Sequence, residues 1–117
     1  CGFAGKVRKP LRWFIVLPGV FLPINRFLMT YQQLAEQLRQ KQSFLCVGLD
    51  TDPRKLPAHL GTGPDAVLEF NRQIIAATAE WAVAYKPNVA FYEAMGPRGW
   101  EVLQETLAMI PGNCLTI

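Results

Sequence analysis

Histidine and cysteine are scarce in this chain of 117 residues, which contains one histidine, His59, and three cysteines. The cysteines form no CxxC pair and none has a histidine nearby, so a metal site has little support. Cys46 and Cys114 lie in the apolar runs FLCVGL and CLTI. We expect both to be small buried hydrophobic residues in a reducing cytosol.

Charged residues are also few, at 18%, while half of the chain is hydrophobic. This composition argues against a disordered protein. The charge is unevenly distributed: residues 1–28 hold five basic and no acidic residues, whereas residues 29–117 hold seven basic and nine acidic residues. The later part therefore has no basic stripe, and we expect no nucleic-acid partner.

Residues 1–28 form a basic, apolar leader that resembles a signal peptide in part. Its apolar run, WFIVLPGVFLPI, has about 12 residues, fewer than the ~20 that span a bilayer. It contains two prolines and lacks a small-x-small cleavage site. We interpret Met29 as the true start and residues 1–28 as upstream sequence read in frame, with no membrane role. A targeting or anchor segment and a structured extension are the alternatives.

From Thr30 onward, predicted helices and strands alternate. Thr30 can cap a helix over YQQLAEQLRQK. The run SFLCVGLD is typical of a strand buried on both faces, and TDPRKLPAHLGTGP is typical of a loop. Pro64 is well placed to begin the helix DAVLEFNRQIIAATAEWA. One side of that helix should face the core of the protein, because five residues recur on it at three- and four-residue spacing: Val67, Phe70, Ile74, Thr78 and Trp81.

The second half repeats the alternation. VAYKPN is predicted to be a strand, NVAFYEAMGPRG a loop, and RGWEVLQETLAMI a helix that Pro97 opens and that packs through Trp100, Leu103 and Leu107. NCLTI begins a third strand. Strands that alternate with helices predict a parallel sheet, as in a (β/α)8 barrel or a doubly wound sheet. No GxGxxG follows the first strand, so a dinucleotide site has little support.

Three strands are too few for a closed barrel, which needs roughly 250 residues. We therefore expect an α/β chain of the (β/α)8 TIM barrel class with only the first three strands and their helices present, in residues 29–117.

Two charged residues stand where parallel strands end, at the edge of the sheet where reactive groups gather. Asp50 closes CVGLD and Lys86 closes VAYKPN. Asp50 could instead cap the following turn, and Lys86 could be a solvated strand end. A carboxylate and an ammonium at successive strand ends could also meet across a barrel mouth.

The segments LCVGLD and AYKPNVAFYEAMGPRGW, within residues 29–117, resemble the type 2 bacterial orotidine 5'-phosphate decarboxylases. This resemblance implies a cytoplasmic, homodimeric (β/α)8 barrel that acts on a nucleotide substrate. The implied reaction converts orotidine 5'-phosphate to UMP and CO2, a step of pyrimidine biosynthesis, with no metal or organic cofactor.

The resemblance also implies roles for three residues. Asp50 would bind the ribose hydroxyls of the substrate. Lys86 would be the first lysine of the family's charged Lys-Asp-Lys-Asp array, a catalytic residue that also binds ribose. Asn88 would make a further, weaker substrate contact. The family motif Asp-x-Lys-x-x-Asp, which contains the proton donor, does not occur in the 117 residues. We therefore expect this polypeptide to be inactive by itself.

Two other functions stay open at the level of sequence: a non-catalytic half-barrel that binds a nucleotide or a partner protein, and a related phosphate-sugar barrel enzyme such as a hexulose-phosphate synthase. The remaining polar candidates have simple structural explanations. His59, Arg54 and Lys55 are expected to be solvated loop residues, and Glu93 to serve a turn or a helix cap. Three aromatic residues are expected to pack in the interior: Phe91, Tyr92 and Trp100.

Overall fold

The computed structural model describes residues 14–17 and 20–23 by their backbone and residues 29–117 in full. Strands β1 (Phe14–Leu17) and β2 (Val20–Pro23) pair antiparallel. The interpretation of residues 1–28 as upstream sequence lies largely outside the described residues and stays a prediction.

Helix α1 (Tyr31–Lys41) begins where the sequence predicts it, because Thr30 and Gln33 form a capping box. The main-chain N–H of Gln33 donates to Thr30 Oγ1 at 3.2 Å, and that of Thr30 donates to Gln33 Oε1 at 2.8 Å. At the other end, the Lys41 ammonium donates to the main-chain oxygens of Ala79, at 2.8 Å, and Ala82, at 2.6 Å. Lys41 thereby attaches α1 to the N-terminal end of the following sheet, a role that the sequence did not reveal.

Three parallel strands form the sheet: β3 (Leu45–Gly48), β4 (Ala82–Lys86) and β5 (Leu115–Thr116), in that order. Gly48 lies opposite Lys86 across β3 and β4, and Ala84 lies opposite Leu115 across β4 and β5. The predicted alternation of helices and parallel strands is confirmed.

Helices α2 (Pro64–Thr78), α3 (Val89–Glu93) and α4 (Pro97–Met109) connect the strands. Proline occupies the first turn of α2 and of α4, as predicted. Helix α3 corrects the prediction of a continuous loop over residues 88–99, because Asn88 Oδ1 accepts from the main-chain N–H of Ala90 and starts a helix there. The predicted loop after β3 is confirmed, with short 3-10 turns at Pro53–Lys55 and Ala58–Leu60.

The interior consists of two adjoining clusters. The first joins the sheet to α2 and to the residues after α4, and contains Leu49, Ile75, Ala82, Tyr85, Ile110 and Cys114. The second lies among α2, α3 and α4, and contains Val67, Tyr92, Val102 and Leu103. The expected burial of Cys114 and Tyr92 is confirmed, at 3% and 1% exposure.

The prediction that SFLCVGLD is buried on both faces was wrong, as was the expected burial of Cys46. Side chains alternate along a strand. Val47 and Leu49 pack into the first cluster, whereas Phe44, Cys46 and Gly48 project from the other face and are exposed. A continuous apolar run indicates hydrophobicity but cannot show which face the helices cover.

Two tryptophans that were expected in the core are also exposed, Trp81 at 53% and Trp100 at 46%. Helix α2 ends at Thr78, so Trp81 lies beyond the helical stripe. The buried side of α4 passes through Gly99, Val102 and Thr106, which places Trp100 on the flank. The earlier members of the α2 stripe are buried or partly buried, as predicted.

Candidate functional site

Asp50 and Lys86 come together at the C-terminal edge of the sheet. Gly48 pairs with Lys86 in the register, and Asp50 lies two residues further on the same face. A Cβ at Gly48 would be in ordinary contact with the Asp50 carboxylate, 3.7 Å from its Oδ2. Lys86 Nζ donates to Asp50 Oδ2 at 3.2 Å and to Oδ1 at 3.3 Å. The two residues that the sequence placed at successive strand ends therefore form an ion pair.

This ion pair remains accessible to a ligand. Its side chains are 45% exposed for Lys86 and 37% for Asp50, and the contacts are long for charge-assisted hydrogen bonds. An exposed pair of this kind contributes at most about 1 kcal/mol to stability. A cavity of about 330 Å³ adjoins it, lined in part by Gly48, Asp50 and Phe91. The ion pair is therefore open to solvent and adds little to the stability of the fold.

Asn88 lies two residues beyond Lys86, at the same end of the sheet. Its side-chain oxygen accepts from the main-chain N–H of Ala90 at 3.3 Å and caps α3. The residue is exposed. A substrate contact through its amide N–H groups stays a prediction.

The loop after Asp50 carries a second, local ion pair. Arg54 donates through Nε and Nη2 to Asp52, at 3.0 and 2.9 Å, and its main-chain N–H donates to the same carboxylate at 3.0 Å. The Arg54 side-chain hydrogen bonds hold the pKa of Asp52 at about 2. The Arg54 side chain is 88% exposed, in agreement with the expected solvated loop residue. Asp52 and Arg54 also line an open groove of about 540 Å³ beside α3.

Replacement of Arg54 by alanine is expected to raise the pKa of Asp52 toward the ordinary aspartate value of about 3.9, because the side-chain donors are lost. The main-chain N–H remains and limits the rise. The carboxylate of Asp52 stabilises the fold above its unfolded-state pKa, and this contribution disappears as the pH falls from about 4 to about 2. The free energy of unfolding of the variant should therefore decrease less than that of the unmodified chain as the pH falls from about 4 to about 2.

A carbon-13 titration of the carboxyl groups measures this shift. Glu69 provides the control in the same spectra, because its own hydrogen bonds with Arg72 hold its pKa at about 2, independently of Arg54. An Asp52 pKa that stays at about 2 in the variant would contradict the assignment to Arg54.

Four polar side chains lie buried behind the strand that ends at Asp50. We call them the hydroxyl–amide network; they are Thr51, Asn71, Tyr92 and Thr106. Asn71 is at its centre: its Oδ1 accepts from Thr51 at 2.6 Å, and its Nδ2 donates to Tyr92 at 3.0 Å and to Thr106 at 3.1 Å. Burial raises the pKa of Tyr92, whose hydroxyl donates to the main-chain oxygen of Leu49 at 2.8 Å.

Sequence reasoning missed this network, although one signal was present. Asn71 follows Val67 by four residues and Phe70 by one, which places an amide on the apolar stripe of α2. A polar residue on such a stripe needs a buried partner. The partners come from other elements and could not be named from the sequence.

The weaker candidates are placed as expected for structural residues. His59 and Glu93 are exposed, and Phe91 packs against the second cluster. Among the residues that the structure describes, no group of three His, Cys, Asp or Glu side chains could hold a metal ion. Within the same residues, no helix is both long enough and apolar enough to cross a bilayer.

Comparison with curated proteins shows relatives that match about 70% of this chain. The chain is 51% identical to an orotidine 5'-phosphate decarboxylase of Bacteroides fragilis over 85 residues, which are 73% of this chain and 31% of that protein. It is 57% identical to the enzyme of Christiangramia forsetii over 79 residues, 68% of this chain and 29% of that protein. The chain thus spans about 30% of the length of these relatives. No family model matches it.

Solved structures give the same result. A structure from Toxoplasma gondii described as an orotidine-monophosphate decarboxylase superposes with a TM-score of 0.70 at 30% identity, and covers 79% of this chain and 30% of its own. The OMP decarboxylase of Leishmania donovani superposes with a TM-score of 0.59 at 37% identity, and covers 74% of this chain and 30% of its own. The expected fold class, part of a (β/α)8 barrel, is confirmed.

Proposed function

We propose that the chain contributes a substrate-binding edge to the orotidine 5'-phosphate decarboxylase reaction, because it is similar to enzymes of that family over about 70% of its length. One observation carries the proposal. In a chain that is more than half identical to these enzymes over about 70% of its length, Asp50 and Lys86 form an exposed ion pair at adjacent strand ends, beside a cavity. The C-terminal edge of a parallel sheet is where barrel enzymes bind their substrates.

In the proposed reaction, the bond between C6 of the pyrimidine and its carboxylate breaks and CO2 leaves. The electron pair stays on C6, which then takes a proton. A fixed positive charge near C6 stabilises the developing carbanion. A carboxylate held close to the substrate carboxylate adds electrostatic repulsion that is relieved when CO2 leaves.

We assign Lys86 to the charged array of this site, as a catalytic residue that also contacts the ribose. Asp50 lies 3.2 Å from its ammonium and is assigned to the ribose hydroxyls, because a carboxylate is an acceptor for two neighbouring O–H donors. Asn88 is assigned a weaker contact through its amide N–H groups. No metal or organic cofactor takes part in the proposed chemistry.

The proton donor is assigned to a lysine outside these 117 residues, since the family's Asp-x-Lys-x-x-Asp motif does not occur in them. The complete site therefore needs further strands of a barrel. We propose that residues 29–117 are the part of the chain that belongs to the barrel. We also propose that the whole enzyme acts as a homodimer in the cytoplasm.

A chimeric enzyme tests the proposal. Residues 29–117 replace the matching segment of the Bacteroides fragilis decarboxylase, and the product is assayed with orotidine 5'-phosphate. We expect turnover by the chimera and none by the 117-residue polypeptide alone. A folded chimera without activity would contradict the proposal.

The two alternatives are not favoured. A non-catalytic half-barrel would not account for identity above 50% to decarboxylases over about 70% of the chain. The relatives named here are decarboxylases, not phosphate-sugar synthases.

A further inference from the structure

We propose that the hydroxyl–amide network positions Asp50, and thereby the Asp50–Lys86 pair, for the substrate. Tyr92 and Asn71 are then positioning residues, which act through the main chain on both sides of Asp50. The inference rests on the proposed function in one respect, the assignment of Asp50 to the substrate.

The network holds the main chain immediately before Asp50. Leu49 is 1% exposed, and its main-chain oxygen accepts from the Tyr92 hydroxyl at 2.8 Å. The N–H of the same residue donates to the main-chain oxygen of Lys86 at 3.0 Å. One peptide segment thus connects Tyr92 to both members of the ion pair.

It also holds the residue immediately after Asp50. Thr51 is 8% exposed, and its hydroxyl donates to Asn71 Oδ1 at 2.6 Å. Asn71 in turn donates to the Tyr92 hydroxyl at 3.0 Å. The two attachments of the strand end therefore meet at a single amide on α2.

The Asn71 side chain uses both of its amide N–H groups and its oxygen in the observed orientation. Its two amide N–H groups donate to Tyr92 and Thr106, and its oxygen accepts from Thr51. The threonine hydroxyls could reverse their roles if the amide were rotated, but the amide oxygen would then face the Tyr92 hydroxyl, whose proton is directed to Leu49. Since Asn71 is fully buried, such a mismatch would leave polar groups without partners, at a substantial cost.

Packing alone does not require these groups. Apolar side chains of similar size would fill the same space without the desolvation cost of a buried amide and hydroxyls. What the polar groups add is direction, because hydrogen bonds fix distance and angle whereas apolar contacts do not. Here the hydrogen bonds fix the position of the main chain on both sides of Asp50.

Two buried tyrosines provide a matched comparison. Tyr85, like Tyr92, is almost fully buried. Its hydroxyl is 2.8 Å from Thr78 Oγ1 and donates to the main-chain oxygen of Ile75 at 3.3 Å. These contacts bind it to α2 and not to the end of β3. Tyr92→Phe and Tyr85→Phe each remove one buried hydroxyl, but only the first releases Leu49.

The test uses the chimeric decarboxylase described above, with uridine 5'-monophosphate as the probe. Nitrogen-15 spectra follow the amide signals of Asp50 and Lys86 during titration, and hydrogen exchange follows the Leu49 amide. We expect Tyr92→Phe to weaken binding and to speed exchange at Leu49, each about tenfold, a change equivalent to about 1.4 kcal/mol. Tyr85→Phe should leave both within about twofold at a similar loss of thermal stability. Equal effects of the two variants would overturn the proposal.

Thr51 gives a second pair of variants that perturbs packing less. Thr51→Val removes the hydroxyl at nearly constant shape, whereas Thr51→Ser keeps it. We expect the serine variant to retain nucleotide affinity and the valine variant to lose it, and the reverse order would refute the positioning role. If the unmodified chimera shows no shifts of the Asp50 and Lys86 signals with uridine 5'-monophosphate, the assignment of Asp50 to the substrate fails, while Leu49 exchange still decides whether the network holds the strand end.

Discussion

Alanine at Gly99 is expected to destabilise the fold by about 3 kcal/mol, in the range of severe overpacking. Helix α4 begins against the end of α3 at this point. An added Cβ would overlap the main-chain oxygen of Tyr92 and lie 2.9 Å from Cβ of Met95. Main-chain atoms cannot rotate away as a side chain can, so α3 and α4 would have to separate. Chemical denaturation of the variant and of the unmodified chain measures the loss.

Gly48→Ala is the control for this substitution. A Cβ at Gly48 would contact only Asp50 Oδ2, at 3.7 Å, and the Asp50 carboxyl carbon, at 3.9 Å, which are ordinary van der Waals distances. The control should change stability by no more than about 0.5 kcal/mol. If Gly99→Ala lowered stability as little as Gly48→Ala, the inference that α3 and α4 approach too closely for a Cβ at residue 99 would be wrong.

In the chimeric decarboxylase, removal of the Lys86 ammonium by substitution with alanine is expected to lower kcat/KM at least about 100-fold. This is the range for the loss of one preorganised electrostatic group in an active site. Asp50 would also lose the cation that lies 3.2 Å from it. Steady-state kinetics with orotidine 5'-phosphate measures the effect, and thermal unfolding shows that the variant is folded.

Lys55→Ala supplies the matched control. Lys55 is an exposed lysine of the loop after β3. It lines the cavity beside the Asp50–Lys86 pair, but it does not contact Asp50. We expect a change in kcat/KM of no more than about threefold. If Lys55→Ala and Lys86→Ala lowered kcat/KM equally, the cause would be a loss of positive potential in the cavity in general, and not the loss of the strand-end lysine in particular.

Much of the fold could be predicted because local signals and the wider pattern agreed. Thr30 with Gln33, Pro64 and Pro97 each specify a helix start through local hydrogen bonding or a fixed φ angle. Short apolar runs between these helices predicted the parallel sheet. Position at a strand end was enough to single out Asp50 and Lys86, because parallel strands bring their C-terminal ends to one edge.

Burial was predicted less well, because it depends on which faces other elements cover. Cys46 and Trp100 are hydrophobic and lie in regular elements, yet both are exposed. Helix α3 was missed because its cap, Asn88, precedes only a five-residue helix, too short for a periodic pattern.

The sequence by itself determined the alternation of the three parallel strands with helices α1, α2 and α4, the family resemblance, and the charged residues at the edge of the sheet. These follow from propensities, periodicity and motifs, which are properties of neighbouring residues. Only the tertiary structure decided that the side chains of Asp50 and Lys86 lie 3.2 Å apart. It alone also showed that Asn71 is hydrogen-bonded to Thr51 and Tyr92, behind the end of β3. Such contacts join residues 20 or more positions apart, and their geometry is set by the packing of whole elements rather than by any local signal.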